Sequence, residues 1–573
     1  MINSLKQIWR LAVICAWRPG GRLGILIFAA VFGLGLIGIH ISVRLIRWTN
    51  DFYNALQKLD VPEAVHQIGV FFVLIAISAS LNLSATYLRK LLQIRWRKVL
   101  TDATLDAWLA DRSYWHMRER TEHGLDNPDQ RIADDCRIYV YRLTTEALEL
   151  ITNIVALFTY VSILWSLSTF PLGFSLFGID FSIPRYMVWA APIYVAISSG
   201  VTHWLGAPLV PLNFEQQKTE ADFRFALARF RQSGEQVALS RGEPAERRLF
   251  DRRFREIVGN WHRLMNRELI LGLFTRPYMQ TILRIPLFLA LPAFLAGRVT
   301  FGGLMQIGSA FQNVVTTLSW FIFSYRDLAE LAAASRRLDH FLAAAGTAAR
   351  TPPGAEVAIH PGDDLRLSAV ALTSPAGAPI LSLDWLDLRR GENVWIEAPS
   401  GTGKTTLMRL LAGLWPDSSG RVERPAGSMV FLPQEAYLPL GTVADAAVYP
   451  REAAAVPEDA IRSALARVGL ARLATPEALQ LDIGSAGLSG GERQRLVLAR
   501  LLAQPADWVF LDEATSALDV AGEAALLGEL SRALPQTTFV IIAHREPQGL
   551  GPLRQISLAG ARTVSPEAVA ATP

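Results

Sequence analysis

Cysteine is nearly absent. Cys15 and Cys136 are the only two in 573 residues, and they lie far apart. That excludes a disulfide framework and a thiol metal cluster, and nothing in it points to an oxidising compartment. Charge is sparse too, at 19% of residues, and nearly balanced at a formal +4. So small a net charge gives no argument for a nucleic-acid partner. What is abundant is apolar side chain: 51% of residues are hydrophobic and the mean hydropathy is +0.25. A chain of this length has room for two or three domains, and this balance predicts a membrane portion joined to a soluble one.

One stretch organises the rest. Glu397–Trp415 reads EAPSGTGKTTLMRLLAGLW. Apolar Glu392–Glu397 predicts a buried strand, and Thr405–Leu414 has the apolar spacing of a helix. The loop between them holds Ser400, Gly401, Thr402, Gly403, Lys404, Thr405 and Thr406. Backbone N–H groups of such a loop converge on phosphate oxygens at the positive end of the helix dipole. Lys404 would reach the β- and γ-phosphates, and the Thr405 hydroxyl would bind Mg²⁺. The pattern wants glycine first, and this chain has Ala398, the smallest substitute. On the motif alone, a chance Gly/Ser/Thr turn before a helix stays open.

Residues 1 to about 345 carry six candidate spans: Leu23–Ile46, Ile68–Leu88, Ala147–Leu167, Met187–Gly206, Pro277–Gly297 and Gly303–Phe323. Each approaches the length a helix needs to cross a bilayer. The fifth, with Pro277, Pro286, Pro292 and Arg284, is expected to be the weakest by hydropathy. Leu23–Val43 is too long for a signal-peptide core and no cleavage site follows it. Ile2–Trp17 is amphipathic and reads as an interfacial helix, or equally as a plain cytosolic one. The connections after spans two and four are about 60 residues long and rich in charge. Arg89 and Lys90 directly follow span two, so the long connections and both termini are expected in the cytoplasm. Helical patterning at Phe223–Gln236 and Ala245–Met265 predicts that the spans continue as helices beyond the membrane. In the first long connection Asn127-Pro-Asp-Gln-Arg-Ile132 predicts a turn leading into a helix. Arg284 within the membrane predicts either an aqueous substrate cavity or a structural ion pair. Gln280, Gln306, Gln312 and Asn313 are candidates for the same cavity, or for helix–helix hydrogen bonds.

Ala343–Asp364 is Pro/Gly-rich and without periodicity, which reads as a linker. Beyond it comes Trp508–Asp519, WVFLDEATSALD. Four apolar residues predict a buried strand. Asp512 at its end would hold Mg²⁺, and Glu513 sits where a carboxylate could polarise a water for in-line attack on the γ-phosphate. Leu488–Arg495, LSGGERQR, places Ser489, Gly490 and Gly491 before a helix, a second anion site or an ordinary Ser N-cap.

Together these motifs resemble those of the ABC ATPases. Ala398–Thr405 is similar to Walker A, and Leu488–Glu492 to the signature with Glu in its last place. Asp512 and Glu513 resemble Walker B and the catalytic glutamate. Gln434 in FLPQ resembles the Q-loop, Ser516–Asp519 the D-loop and His544 the switch histidine. The resemblance implies catalytic roles for Glu513, His544 and Gln434, nucleotide contacts from the P-loop with Ser489, Gly490, Gly491 and Asp519, and Mg²⁺ held by Thr405, Gln434 and Asp512. Ser374 stands where the family usually stacks an aromatic on adenine, which leaves nucleotide selectivity open.

In that family ATP is sandwiched between Walker A of one domain and the signature of another. One copy of each, with six spans where full transporters have twelve, implies a half-transporter working as a homodimer, or less readily with a different half. WTNDFYNALQ, NPDQRI and AGLWPDSSG resemble the branch holding the peroxisomal fatty-acyl (ALD-type) half-transporters and the bacterial YddA-type and BacA/SbmA-like transporters. The compact loops favour the bacterial members, hence an inner membrane.

The expected fold is multidomain: a six-helix transmembrane domain of exporter type over residues 1–345, a linker over 346–364, and an α/β P-loop ABC nucleotide-binding domain over 365–573. The expected function is ATP-driven movement of cobalamin, a peptide or another hydrophilic solute. Fatty-acyl transport and an ATP-gated channel or regulator are the alternatives, and direction and substrate stay open. A soluble ABC ATPase of DNA repair does not fit six apolar spans.

Overall fold

The Val61–Leu109 helix runs for 49 residues. At 1.5 Å per residue it is about 74 Å long, more than twice the ~30 Å of bilayer hydrocarbon. The Glu243–Leu295 helix, at 53 residues, is longer still. Both helices are longer than a span alone requires. The computed structural model describes residues 2–120, 127–176, 179–350, 354–360, 362–399 and 401–558. It divides into two units, Met1–Ala107 with Asn127–Ala343, and Trp108–Asp126 with Ala344–Pro573.

Among the described residues, five helices are long and apolar enough to cross a membrane; they contain the first four expected spans and all but the last two residues of the fifth. The sixth expected span is also a helix, Phe301–Phe323, but its composition falls short, because Gln306, Gln312 and Asn313 dilute its apolar residues. The weakest span is therefore this one and not the fifth. Its place in the packing supplies the reason. Ile307, Ala310, Phe311, Val314 and Val315 are fully buried, packed with Ile39, Leu164 and Met187 from neighbouring helices. A helix surrounded by protein needs no continuous lipid-facing apolar surface, and its amides can pair inside. Gly302 lets it approach the Arg22–Gln57 helix, since a Cβ there would lie 2.2 Å from the Asn50 carbonyl oxygen.

The N-terminal helix, Ile2–Trp17, buries Leu11 and Cys15 against Leu92, Tyr139 and Leu338. It leaves Leu5, Trp9 and Trp17 exposed. Exposed tryptophans beside Lys6 and Arg10 suit a membrane interface.

The motif at Asn127 does form a turn and a helix start. Asn127 is left-handed at φ 53°, Pro128–Gln130 is one turn, and Arg131–Asp135 is a π-helical segment leading into Cys136–Leu167. There the buried Asp135 binds Arg131 at 2.7 Å and the Arg337 Nε at 2.9 Å.

In the second unit five strands form a parallel sheet in the order Arg554–Ser557, Val394–Glu397, Thr538–Ile542, Trp508–Asp512, Met429–Leu432. Trp508–Asp512 and Thr538–Ile542 are buried along their whole length, as interior parallel strands must be. A second, four-stranded sheet includes Glu356–His360. That strand lies within the stretch read as linker and pairs in parallel with Ser418–Pro425. The polar and Pro/Gly-rich residues around it mask an exposed edge strand.

Candidate functional site

Because the central strands are parallel, their C-terminal ends open onto one side of the sheet, where ligands of α/β proteins bind. Val394–Glu397 delivers the P-loop and Trp508–Asp512 delivers Asp512 and Glu513. Thr538–Ile542 lies between them, with Ile542 level with both Ile396 and Asp512, and leads two residues on to His544.

The P-loop turns into the Lys404–Leu411 helix at Gly403, whose φ is 91°. That backbone and Ile380 together demand glycine, since a Cβ would lie 2.7 Å from Ile380 Cγ2. Gly401 is also left-handed, at φ 84°. Ala398 is buried and is not among the residues with positive φ, so the first position does not need glycine here. Its carbonyl accepts a 2.9 Å hydrogen bond from Lys404 Nζ. Thr402 Oγ1 donates to the Pro399 carbonyl at 2.7 Å, tying the loop to itself. Thr406 follows on the first turn of the helix, half-buried. Ser400 lies outside the described residues.

Thr405 Oγ1 donates to Asp512 Oδ2 at 2.8 Å. Burial pushes the Asp512 carboxyl above its ordinary range; the bond from Thr405 works against that, and the adjacent Glu513 charge reinforces it. A buried carboxylate beside a hydroxyl is a hard-oxygen donor pair of the kind that suits Mg²⁺.

Three groups converge on Glu513. Gln434 Nε2 donates to one carboxylate oxygen at 2.9 Å. His544 Nε2 lies 3.0 Å from the other, and Lys404 Nζ lies 3.8 Å from that same oxygen. Glu513 itself has φ 49°, an uncommon backbone for a residue with a side chain. Its N–H bonds the Ile542 carbonyl, which locks the left-handed turn against the next strand.

Ser489 caps the Gly490–Ala503 helix through a capping box. Its side chain accepts the Glu492 N–H, and Glu492 Oε2 takes the Ser489 N–H at 2.9 Å. Glu in the last place of the signature thus closes the cap, and Arg472 holds its other oxygen at 2.8 Å. Gly491 packs on Leu518 and Ala517. Asp519 caps the Val520–Ala533 helix by accepting the Gly522 N–H. Ser374 closes a tight turn, with Oγ accepting the Ala378 N–H at 3.0 Å.

Two residues that motif reading passed over belong to the same unit. Trp115 Nε1 donates to the Leu414 carbonyl at 3.0 Å, and Arg409 lies over the rings of Trp115 and Trp415. Arg112 donates to the Ala412 carbonyl at 3.0 Å. The helix that begins at Lys404 is therefore gripped at its far end by the segment continuing Val61–Leu109. The Trp in AGLWPDSSG was the available signal.

In the first unit a cavity of about 340 Å³ opens between helices, lined by Ser42, Asn82, Arg89, Glu149, Asn153 and Asn313 among others. Of the expected cavity residues Asn313 lines it. Arg284 and Gln280 are exposed elsewhere on their helix, and Gln306 and Gln312 are half-buried.

A P-loop ATPase with its signature helix, joined to a bundle of membrane-length helices, defines the class: an ATP-driven membrane transporter. A family model described as ABC transporter transmembrane region 2 matches residues 14–295, and one described as ABC transporter matches residues 383–516. The chain belongs to the ABC transporters, as a half-transporter with one membrane domain fused to one ATP-binding domain. It is 33% identical over 545 residues to the inner membrane ABC transporter ATP-binding protein YddA of Escherichia coli, covering 94% of each chain. It is 28% identical to the human lysosomal cobalamin transporter ABCD4, over 87% of this chain and 85% of that one. A bacterial Atm1-family ABC exporter with ATP bound has the same fold, at TM-score 0.71 and 16% identity, over 94% of this chain and 95% of that one. The chain thus binds and hydrolyses ATP in support of membrane transport.

Proposed function

We propose that this half-transporter works as a homodimer that moves a hydrophilic solute across the bacterial inner membrane, with its ATPase unit in the cytoplasm. The convergence of Gln434, His544 and Lys404 on Glu513, beside the Thr405–Asp512 pair, carries this reading. Lys404 and the P-loop N–H groups hold the phosphates. Glu513 accepts a proton from the attacking water, and His544 and Gln434 fix its carboxylate in place. Thr405, Asp512 and Gln434 would hold Mg²⁺, which neutralises charge on the transferring phosphoryl group.

Dimer formation is supported by the single signature in the chain, whose Ser489 is engaged with Glu492. It is also supported by large aromatics left exposed on the long helices, Phe225, Phe254 and Trp261. The relatives named for an inner membrane and for cobalamin support the location and a hydrophilic cargo.

The test uses purified protein in proteoliposomes, supplied with ATP and screened with cobalamin, a proline-rich peptide and an acyl-CoA. The reading expects EDTA-sensitive hydrolysis and solute accumulation against its gradient. Hydrolysis indifferent to EDTA would remove the Mg²⁺ assignment. Solute flux that only runs down its gradient would make the protein an ATP-gated channel.

A further inference from the structure

The cavity of the membrane unit contains one cation and one anion, both on membrane-length helices. Arg89 Nη1 lies 3.3 Å from Glu149 Oε1, and Trp320 Nε1 donates to Glu149 Oε2 at 2.8 Å. This pair is not internally satisfied. Arg89 Nε is buried with no hydrogen-bond partner among the described residues, and Glu149 remains more than a third exposed. A purely structural pair should instead be sealed and fully bonded. Arg89 has donors left over, and each Glu149 oxygen takes a single bond, so both charges keep capacity toward the cavity.

The rest of the wall is uncharged and mixed: Asn82, Thr152, Asn153 and Asn313 supply polar groups, while Val31, Leu34, Ile39 and Leu81 supply apolar surface. The cavity is therefore close to neutral overall while carrying two fixed, opposite charges. That pattern disfavours a polyanion such as an acyl-CoA, which needs an excess of cations. It disfavours a plain acyl chain as well, because hydrocarbon offers no partner to the capacity that both charges keep. It matches a solute that itself carries an ammonium and a carboxylate.

We propose that Arg89 and Glu149 form the recognition pair for a zwitterionic solute, with Arg89 taking its carboxylate and Glu149 its ammonium. This rests on the transporter reading above, and it adds the substrate class. About 340 Å³ holds a molecule of short-peptide size.

The experiment measures ATPase stimulation in proteoliposomes with three probes: triglycine, its N-acetylated and C-amidated analogue, and oleoyl-CoA. Triglycine should stimulate at a concentration roughly tenfold or more below its capped analogue, because the capped form forfeits both charge-assisted bonds. Glu149→Gln should raise the half-saturating triglycine concentration at least tenfold and leave basal hydrolysis unchanged. Equal response to capped and free tripeptide, stimulation by oleoyl-CoA alone, or an unshifted Glu149→Gln would each overturn the inference. Absence of basal hydrolysis in the wild type would instead count against the transporter reading itself.

Discussion

His544 Nε2 lies 3.0 Å from Glu513 Oε1, although the two residues follow different strands and 31 positions separate them. The strand that leads to His544 lies directly beside the one that ends at Asp512, so the contact follows from parallel pairing in register. With Gln434 on the second oxygen at 2.9 Å, Glu513 is held from both sides. A carboxylate fixed in this way can take a proton from water without first reorganising.

Glu513→Gln should therefore retain ATP binding and lose about a hundredfold or more in turnover, the usual scale for removing a general base. Steady-state phosphate release and nucleotide retention on a filter measure the two separately. Wild-type-like release would mean that another group takes the proton.

Asp512 should trade stability for activity. Burial raises its folded-state value above the unfolded one, so the folded protein opposes ionisation of this group. The destabilisation is present above the folded value and fades as pH falls through it. Asp512→Asn keeps an acceptor for Thr405 and removes the buried charge. In EDTA the ATPase unit should then unfold about 2–4 °C higher, if the relief is about 1 kcal/mol, while Mg²⁺-dependent hydrolysis disappears. A lower unfolding temperature would show that the charge is stabilised by something else.

Asp135 is the buried partner of two arginines, Arg131 and Arg337. Asp135→Ala leaves both without their carboxylate and should cost about 3–5 kcal/mol, the range for breaking a buried pair. Thermal unfolding in detergent checks it. A change within about 0.5 kcal/mol would place the cluster among surface pairs of little energetic weight.

Trp115 belongs to the ATPase unit, where it holds the far end of the helix that begins at Lys404 and follows the Val61–Leu109 helix in the chain. Trp115→Ala removes the bond to Leu414 and one face of the Arg409 stack. Basal hydrolysis should survive within about twofold, because Lys404 and Glu513 are untouched, and stimulation by solute should fall severalfold, since stacked and hydrogen-bonded contacts of this kind are worth about 1–2 kcal/mol. Unaltered stimulation would exclude Trp115 from coupling.

The nucleotide end of the chain was legible because its chemistry is written in short contiguous stretches. Gly401–Thr405 fixes a loop and a helix start, and Asp512 with Glu513 ends an apolar run. Sequence order alone then indicates which strand ends share an edge. The left-handed backbone of Glu513 was not visible, since nothing in its neighbours marks it. The membrane unit was harder to read. Arg89 reads as a charge flanking a span and Glu149 drew no reading, because hydropathy averages over one helix while their partnership crosses two, 60 residues apart. Arg284 attracted notice for the converse reason: it lies inside an apolar run, but its helix turns it away from the cavity. Phe301–Phe323 was weak as an apolar run for the same reason that it is central, since protein surrounds it.

In the proposed homodimer each ATP site is built from two copies of the chain, Lys404 from one and Ser489 from the other. The direct measurement co-reconstitutes Lys404→Ala chains with Ser489→Arg chains, each inactive alone. In a mixed dimer one site receives both lesions and the other receives neither, so hydrolysis should reappear in the mixture at a substantial fraction of wild type. If each site lay within a single chain, every site would carry a lesion and the mixture would stay as inactive as its parts.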